Sequence, residues 1–286
     1  MTPLIDVLTR TTEYFRSRGI GTPRLDAELL IGHLLGLDRV KVYLNFDRPM
    51  SDPELEALRG PVRRRGAREP LAWILGEKEF FGHPFAVGPG VLVPRPDTET
   101  LVEVALAAIG DADPIYIADV GTGTGCVGLT LALERPGVRL YAVDVSDEAL
   151  AVTRINVDRH GLAGRVGVLR GPLLSAIPVS RPIDWVVSNP PYIPTEALAG
   201  LEPEVRDHEP RLALDGGLDG LDVYRQLIPL AAARARRGLL VEVGKGQAEA
   251  VASVMREFGL TTECHRDLSG VERVVSGRLD GGEPPR

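Results

Sequence analysis

From Asp97 onward the chain alternates short, almost wholly apolar runs with amphipathic stretches of helical period, and few folds accommodate that alternation. IYIADV, VRLYAVD, RVGVLR, IDWVVS and GLLVEVG read as strands, whereas VGLTLALE, SDEALAVTRINVDRH and the span from Gln247 to Phe258 read as helices. Strands that are apolar on both sides, rather than at every second residue, belong to a parallel sheet with helices packed on each face. TTECHRD and VERVVSGRL add two terminal strands, before a low-complexity GGEPPR tail. The expected fold class is α/β.

The first seventy residues have a different period. Leu4, Val7, Leu8, Tyr14 and Phe15 share one helical face, and Gly19 ends that helix. LDAELLIGHLL makes a second helix that stops near Gly36. Ser51 and Glu54, with Pro53 between them, form a capping box for a third, which Gly60-Pro61 is expected to kink or break. Between these regions, PLAWILGEKEFFGHPFAVGPGVLVPRP carries paired aromatics and Gly/Pro punctuation and reads as a hairpin linker. The expected domains are residues 1–70 (helical), 71–96 (hairpin) and 97–286 (α/β).

DVGTGTG, residues 119–125, joins a strand to a helix. Gly121, Gly123 and Gly125, with Thr122 and Thr124 between them, let the backbone turn tightly and approach a ligand that a Cβ would hold off. Asp144 ends the next strand, where its carboxylate can accept both hydroxyls of a ribose. Two other readings remain open on this motif alone. Gly123, Gly125 and Gly128 also satisfy the GxGxxG dinucleotide fingerprint, which would suit a nicotinamide dehydrogenase, and a glycine-rich turn can exist without any ligand. GxGxG directly after a strand best suits an adenosine that has no pyrophosphate to cradle, as in S-adenosyl-L-methionine (SAM).

The strand DWVVS runs into Asn189-Pro190-Pro191-Tyr192. Ligands of open α/β sheets sit outside the carboxyl ends of the strands, so Asn189, Asp144 and the glycine turn are expected to face one crevice. An amide nitrogen is a poor nucleophile because its lone pair is delocalised into the carbonyl. The Asn189 side-chain oxygen and the Pro190 carbonyl can each accept one N–H of such a group and aim its lone pair at a methyl donor. The prolines stiffen the loop and remove competing donors, and Tyr192 can stack on the planar group. Orientation of this kind, rather than a general base, would supply the catalysis. A stiff turn closing a strand is the bland alternative.

Composition excludes several classes. The net charge of −7 argues against a protein whose task is gripping phosphates. No run approaches the roughly 18 apolar residues that a membrane helix needs. MTPLIDVLTRTTEYFR has no basic segment followed by an apolar core, so no signal peptide is expected. Cys126 and Cys264 have no CxxC partner, which points away from a disulfide framework or zinc site and toward a reducing cytoplasm. No metal is expected. Pro210 after His208-Glu209 rules out an HExxH helix there, and that pair reads as structural. His33, His83, His160 and His265 are isolated. Glu99 stands near a helix start, as a charge match or on the cofactor side. The five arginines between Arg59 and Arg68 read either as a solvated helix face or as a docking patch for an acidic or RNA-rich partner.

Over essentially its whole length the chain resembles the release factor glutamine methyltransferase family (PrmC/HemK). The resemblance rests on REPLAWILGEKEFFGHPFAVGPGVLVPRPDTETLVE, DVGTGTG, YAVD, SNPPYIP, HEPRLALDGGLDGLDVYR and DLSGVERVVSGRL. It implies a class I SAM-dependent methyltransferase (Rossmann-like) sheet preceded by a small helical substrate-docking domain and a β-hairpin. It further implies transfer of methyl from SAM, leaving S-adenosyl-L-homocysteine, to the Gln of the Gly-Gly-Gln motif of peptide chain release factors. Gly121, Thr122, Gly123, Thr124, Gly125, Asp144 and Leu173 would bind SAM, Asn189 would touch both SAM and glutamine, and Asn189, Pro190, Pro191 and Tyr192 would form the substrate pocket, with Asn189, Pro190 and Tyr192 catalytic. No stable nucleic acid complex, membrane or metal is implied. Gly246-Gln247 resembles part of the target motif, but it opens a helix of the enzyme itself, and automethylation has little support.

Three competing functions share parts of this pattern: a glutamine methyltransferase acting on a ribosomal protein, an adenine-amino DNA methyltransferase, and a catalytically silent SAM-binding or ribosome-associated factor. The second needs a basic DNA-binding face and a means of base flipping; the third sits poorly with an intact Asn189, Pro190 and Tyr192. One position departs from the family. RGPLL places Pro172 where an Asp that contacts the adenine amino group is expected, leaving Leu173 to pack on the base. SAM binding should therefore be weaker than in relatives carrying Asp. Pro172→Asp is expected to tighten it by about the worth of one hydrogen bond, roughly 3- to 10-fold in the dissociation constant, and an unchanged constant by calorimetry would refute this.

Overall fold

The computed structural model describes residues 2–110 and 114–279, which leaves the GGEPPR tail outside the described residues. The chain divides into two compact units: Met1–Glu77 together with Glu202–His208, and Lys78–Leu201 together with Glu209–Arg286.

The first unit is helical. α1 (Leu4–Ser17), α2 (Pro23–Leu35) and α4 (Asp52–Gly66) surround a core of Leu4, Leu8, Phe15, Leu30, Ile31 and Leu58. α3 (Arg39–Leu44), α5 (Leu71–Leu75) and a two-residue ladder between β1 (Thr2–Pro3) and β2 (Pro49–Met50) complete it. α2 ends on Gly36 in the left-handed region, and the Ser51–Glu54 capping box opens α4. α4 is not broken at Gly60-Pro61 but continues to Gly66. Leu55 and Leu58 before the proline and Val62 and Arg65 after it form one continuous inward stripe. Pro61 deprives only the carbonyl of Ala57 of its donor, and Ala57 is exposed to water. The expected hairpin segment is also shorter than residues 71–96, because Leu71–Leu75 are helical.

Arginines dominate the charge economy of this unit. Glu28, buried, accepts from Arg24 (2.6 Å), Arg39 (2.9 Å) and Tyr43 (2.6 Å). The Arg59–Arg68 cluster is mostly committed internally. Arg59 pairs with Glu56 and Arg64 with Glu69. Arg65, only 6% exposed, joins Asp26 (2.6 Å) to Glu204 (2.9 Å) of α9 (Pro203–His208), and Arg68 pairs with Glu202 and Glu204. Much of the supposed patch is therefore a clasp that fastens a distant piece of chain into the helical unit.

The second unit is built on a seven-stranded sheet in the order β10-β11-β9-β8-β5-β6-β7. β5 (Ile115–Val120), β6 (Val138–Asp144), β7 (Val166–Arg170), β8 (Trp185–Ser188) and β9 (Gly238–Glu242) run parallel. β10 (Leu260–Arg266) and β11 (Glu272–Leu279) form an antiparallel edge against β9. α6 (Glu99–Ile109), α7 (Cys126–Glu134) and α8 (Asp147–Arg159) pack with Ile117, Leu140, Val187 and Leu240 in one core cluster. α10 (Asp222–Arg234) and α11 (Ala248–Glu257) pack with Val186, Leu239 and Val241 in the other. Successive strand residues thus enter opposite layers, which explains the near-continuous apolar runs. Ahead of the sheet, β3 (Glu77–Phe80) and β4 (His83–Ala86) form a hairpin whose turn residues Phe81 and Gly82 both have positive φ, the geometry that matches strand twist in two-residue hairpin loops. Phe80 and Phe85 bury themselves in the first of these clusters.

Replacing Arg65 by Ala leaves the buried Asp26 without its cation, while Glu204 keeps Arg68, a change that costs about 3–5 kcal/mol. Urea denaturation of a Trp185→Phe background, in which Trp73 alone reports on the helical unit, should show that loss in Arg65→Ala; a shift below about 1 kcal/mol would contradict the clasp.

Candidate active site

The carboxyl ends of β5, β6 and β8 meet where the strand order reverses, and their loops enclose a cavity of about 360 Å³. After Val120 the chain turns through Gly121, Gly123 and Gly125, at φ of 70°, 58° and 84°, a region costly for any residue with a Cβ. Further on, a Cβ on Gly128 would lie 2.8 Å from an Asp119 oxygen and from Leu140, so glycine there lets α7 sit close on the sheet. The turn is tied down from within. Gly121 and Thr122 N–H donate to the Val143 carbonyl (2.9 and 3.0 Å), and Gly123 N–H donates to the Asp144 carboxylate (2.9 Å). Gly125 N–H donates to Thr122 O (2.7 Å). With these donors engaged internally, the turn offers little to a pyrophosphate, which disfavours the dinucleotide reading.

Asp144 also accepts from Ser146 N–H (3.0 Å). Each of its oxygens thus has one backbone partner and keeps a lone pair for a ligand hydroxyl. Asp119, buried beneath the turn, accepts from Thr122 Oγ1 (2.7 Å) and Gly128 N–H (3.1 Å). Burial pushes its carboxyl up to about 6 in spite of those bonds.

Two residues that the sequence reading did not single out brace the turn from α8. Thr153 Oγ1 donates to Gly123 O (2.8 Å). Asn156, fully buried, donates from Nδ2 to Thr124 O (2.8 Å) and Ala86 O (3.0 Å) and accepts from Ala86 N–H (2.6 Å), linking hairpin to glycine turn. The detectable signal is two polar residues on the inner stripe of α8, amid buried Ala149, Leu150 and Val157.

Ser188 Oγ ties the end of β8 to Val120 O (2.7 Å), and Asn189 follows at the cavity wall. Asn189 Nδ2 donates to Thr98 Oγ1 (3.1 Å). No donor among the described residues reaches Asn189 Oδ1 or the Pro190 carbonyl. Pro190 and Pro191 line the cavity, whereas Tyr192 stands behind it, with its hydroxyl 3.3 Å from Glu242 Oε1 and its ionisation pushed up chiefly by burial. A second layer holds this segment. Gln247 Nε2 donates to Tyr192 O (2.9 Å) and its Oε1 accepts from Gly244 N–H (2.9 Å), so the amide of Gly246-Gln247 is already engaged. A Cβ on Gly216 would strike Pro191 O and Tyr192 Cα at 2.8 Å, which explains that glycine in DGGLDG.

Glu242 ends β9 and is the main residue the sequence reading missed. Ser188 pairs with Val241, so Asn189 and Glu242 leave neighbouring parallel strands at one level. The carboxyl is 2% exposed and its Oε2 has no hydrogen-bond partner among the described residues. Burial pushes it up to about 7, against the opposing pull of the Thr98 and Tyr192 hydroxyls and Arg273. Its only sequence signal is an acid in an apolar strand.

Of the residues nominated from sequence, Gly121 to Thr124, Asp144, Leu173 and Asn189 to Pro191 line one cavity. Gly125 caps α7 instead. Pro172 joins Leu173 on the wall, where Leu173 has a φ of 50°. Glu99 accepts from Phe81 N–H of the hairpin turn (2.9 Å) and does not line the cavity. Glu209, buried, holds Arg95 at the rim through two 2.7 Å contacts to Nη2. Glycine surfaces, a diol-accepting carboxylate and an apolar leucine together suit a nucleoside ligand, which the cavity is large enough to hold. No cluster of His, Cys, Asp and Glu among the described residues could hold a metal ion.

Comparison with known proteins agrees with this geometry. Residues 6–76 match the family model of the PrmC N-terminal domain, and residues 98–201 match that of the methyltransferase small domain. A release factor glutamine methyltransferase from Geobacter sulfurreducens is 45% identical over 277 residues, spanning 96% of this chain and 95% of the relative. One from Chlorobaculum tepidum is 41% identical over 96% of both chains. The crystal structure of a methyltransferase from Pyrococcus furiosus shares the fold at 14% identity, with a TM-score of 0.52 over 70% of this chain and 91% of that one. At such identity over nearly the full length of its curated relatives, the chain belongs to the release factor glutamine methyltransferase family.

Proposed function

We propose that this protein transfers a methyl group from SAM to the side-chain amide nitrogen of the glutamine in the Gly-Gly-Gln motif of peptide chain release factors. The observation that carries the reading is the pair of unengaged acceptors, Asn189 Oδ1 and Pro190 O, on the wall of a cavity shared with the glycine turn and Asp144. The names of the relatives support the choice of substrate.

SAM supplies an electrophilic methyl on a sulfonium. Gly121 to Thr124 would give room for it, Asp144 would accept the ribose hydroxyls and Leu173 would pack on the adenine. The two acceptors each take one N–H of the glutamine amide. That holds the NH2 group so that its lone pair faces the methyl, and removes the competing rotamers that water would allow. The new N–C bond forms as the S–C bond breaks; the surplus proton on nitrogen leaves to solvent afterwards. Pro190 and Pro191 confer rigidity, and Tyr192, held by Gln247 and Glu242, backs the pocket wall from outside the cavity. Catalysis by orientation of this kind is sensitive to displacements near 1 Å, which can cost about 10²-fold.

On this reading residues 1–70 dock the release factor, the hairpin within 71–96 connects, and 97–286 carry the chemistry. The protein would act in the cytoplasm on translation termination, without stable nucleic acid or metal partners. The test incubates the protein with SAM and, separately, a bacterial release factor, ribosomal proteins and duplex DNA, and locates methyl groups by mass spectrometry. Methylated glutamine within Gly-Gly-Gln is expected, with a loss of about 10²-fold or more in Asn189→Ala. Label on adenine, or on a ribosomal protein alone, would overturn the substrate assignment.

A further inference from the structure

We propose that Glu242 is a positioning residue that, through Thr98, fixes which end of the Asn189 carboxamide faces the substrate. The inference rests on the methyl-transfer reading above and adds to it a group that never touches glutamine.

A carboxamide can be rotated by half a turn at little steric cost, exchanging its oxygen for its NH2. In this site the exchange is decisive. Oδ1 facing the cavity accepts an amide N–H, whereas Nδ2 facing it would meet the substrate donor to donor. Something must therefore choose the rotamer before the substrate arrives. Among the described residues the Asn189 side chain makes one hydrogen bond, to Thr98 Oγ1 at 3.1 Å. A hydroxyl can donate or accept, so Thr98 by itself does not choose.

Glu242 makes the choice. It lies at the end of the strand beside Asn189, buried, with Oε2 free of hydrogen bonds among the described residues; the Tyr192 hydroxyl reaches Oε1 at 3.3 Å, and the Thr98 hydroxyl also favours the charged form. An ionised carboxylate only accepts, so the Thr98 proton turns toward it and the Thr98 oxygen is left as acceptor for Asn189 Nδ2. Oδ1 then points into the cavity. A protonated Glu242 can instead donate to Thr98, freeing the Thr98 proton for Asn189 Oδ1 and favouring the flipped, unproductive rotamer.

The charged and titratable groups around this carboxyl come from every neighbouring element. Tyr192 follows β8, Asp97 and Thr98 precede α6, Arg273 lies on β11 and Cys126 begins α7. Tyr224 of α10 donates to the Glu242 backbone carbonyl at 2.7 Å. Arg273 favours the charged form and Asp97 opposes it, while burial brings the midpoint to about 7. The competent, ionised form therefore gains population as pH rises through that value and is lost as pH falls below it.

The test follows the side-chain NH2 resonances of Asn189 in the full-length 15N-labelled protein, assigned by their absence in Asn189→Asp. In the wild type they should titrate with a midpoint near the Glu242 value of about 7. They should be pH-independent in that range in Glu242→Gln and Thr98→Val, and should titrate again in Thr98→Ser. In parallel, kcat toward a bacterial release factor should rise across the same interval in the wild type. In Glu242→Gln it should be flat and about 10-fold or more lower, with the SAM dissociation constant by calorimetry within about 2-fold of wild type. Asn189 resonances that stay still in the wild type, or that titrate unchanged in Thr98→Val, overturn the proposal, and Thr98→Val decides it should Glu242→Gln fail to fold. A wild-type titration accompanied by no methyl on glutamine would leave the relay standing and refute the substrate reading instead.

Discussion

Where parallel strands end, backbone groups lose their ladder partners and must be satisfied by whatever follows. The candidate site of this protein is the solution found at the ends of β5 and β6. Val143 O accepts from both Gly121 and Thr122, and Asp144 accepts from Gly123. Those bonds shape the turn independently of any ligand. They also hold Asp144 at the cavity wall, and they let α7 begin directly over Asp119. Thr153 and Asn156 reinforce the same turn from α8. Preorganisation of this sort is what a reaction governed by orientation requires.

Around the cavity three buried carboxylates, Asp119, Glu209 and Glu242, have their protonation raised by burial as the leading cause. Each is held differently: Asp119 by the turn it supports, Glu209 by Arg95, and Glu242 by hydroxyls beside Arg273.

Much of this was legible in the sequence because it is local. A glycine turn, an acid at a strand tip and Asn-Pro-Pro-Tyr each fall within a few residues, and the rule that ligands gather at the carboxyl ends of strands brings them together. What was illegible depends on pairing between distant segments. Glu242 looks like any acid at the end of GLLVE until β9 is set beside β8. Asn156 looks like a polar helix residue until Ala86 is placed opposite it. Pro61 does not break α4 because the carbonyl it leaves without a donor is one that water can serve, while Leu58 and Val62 keep the helix docked. The Arg59–Arg68 run could not be apportioned between surface and interior without knowing that Asp26 and Glu204 close upon Arg65.

That last clasp has a consequence for how the gene product can be divided. The compact helical unit consists of the first 77 residues plus Glu202–His208, a stretch encoded about 125 residues further on, beyond the Asn-Pro-Pro-Tyr loop. A single cut in the coding sequence near Glu77 therefore yields neither half whole: the amino-terminal fragment keeps Arg65 without Glu204, and the remainder carries an orphaned acidic turn. Recombination that swaps the front of this protein for another must preserve the match between Arg65 or Arg68 and those glutamates, which ties the inheritance of the two segments together.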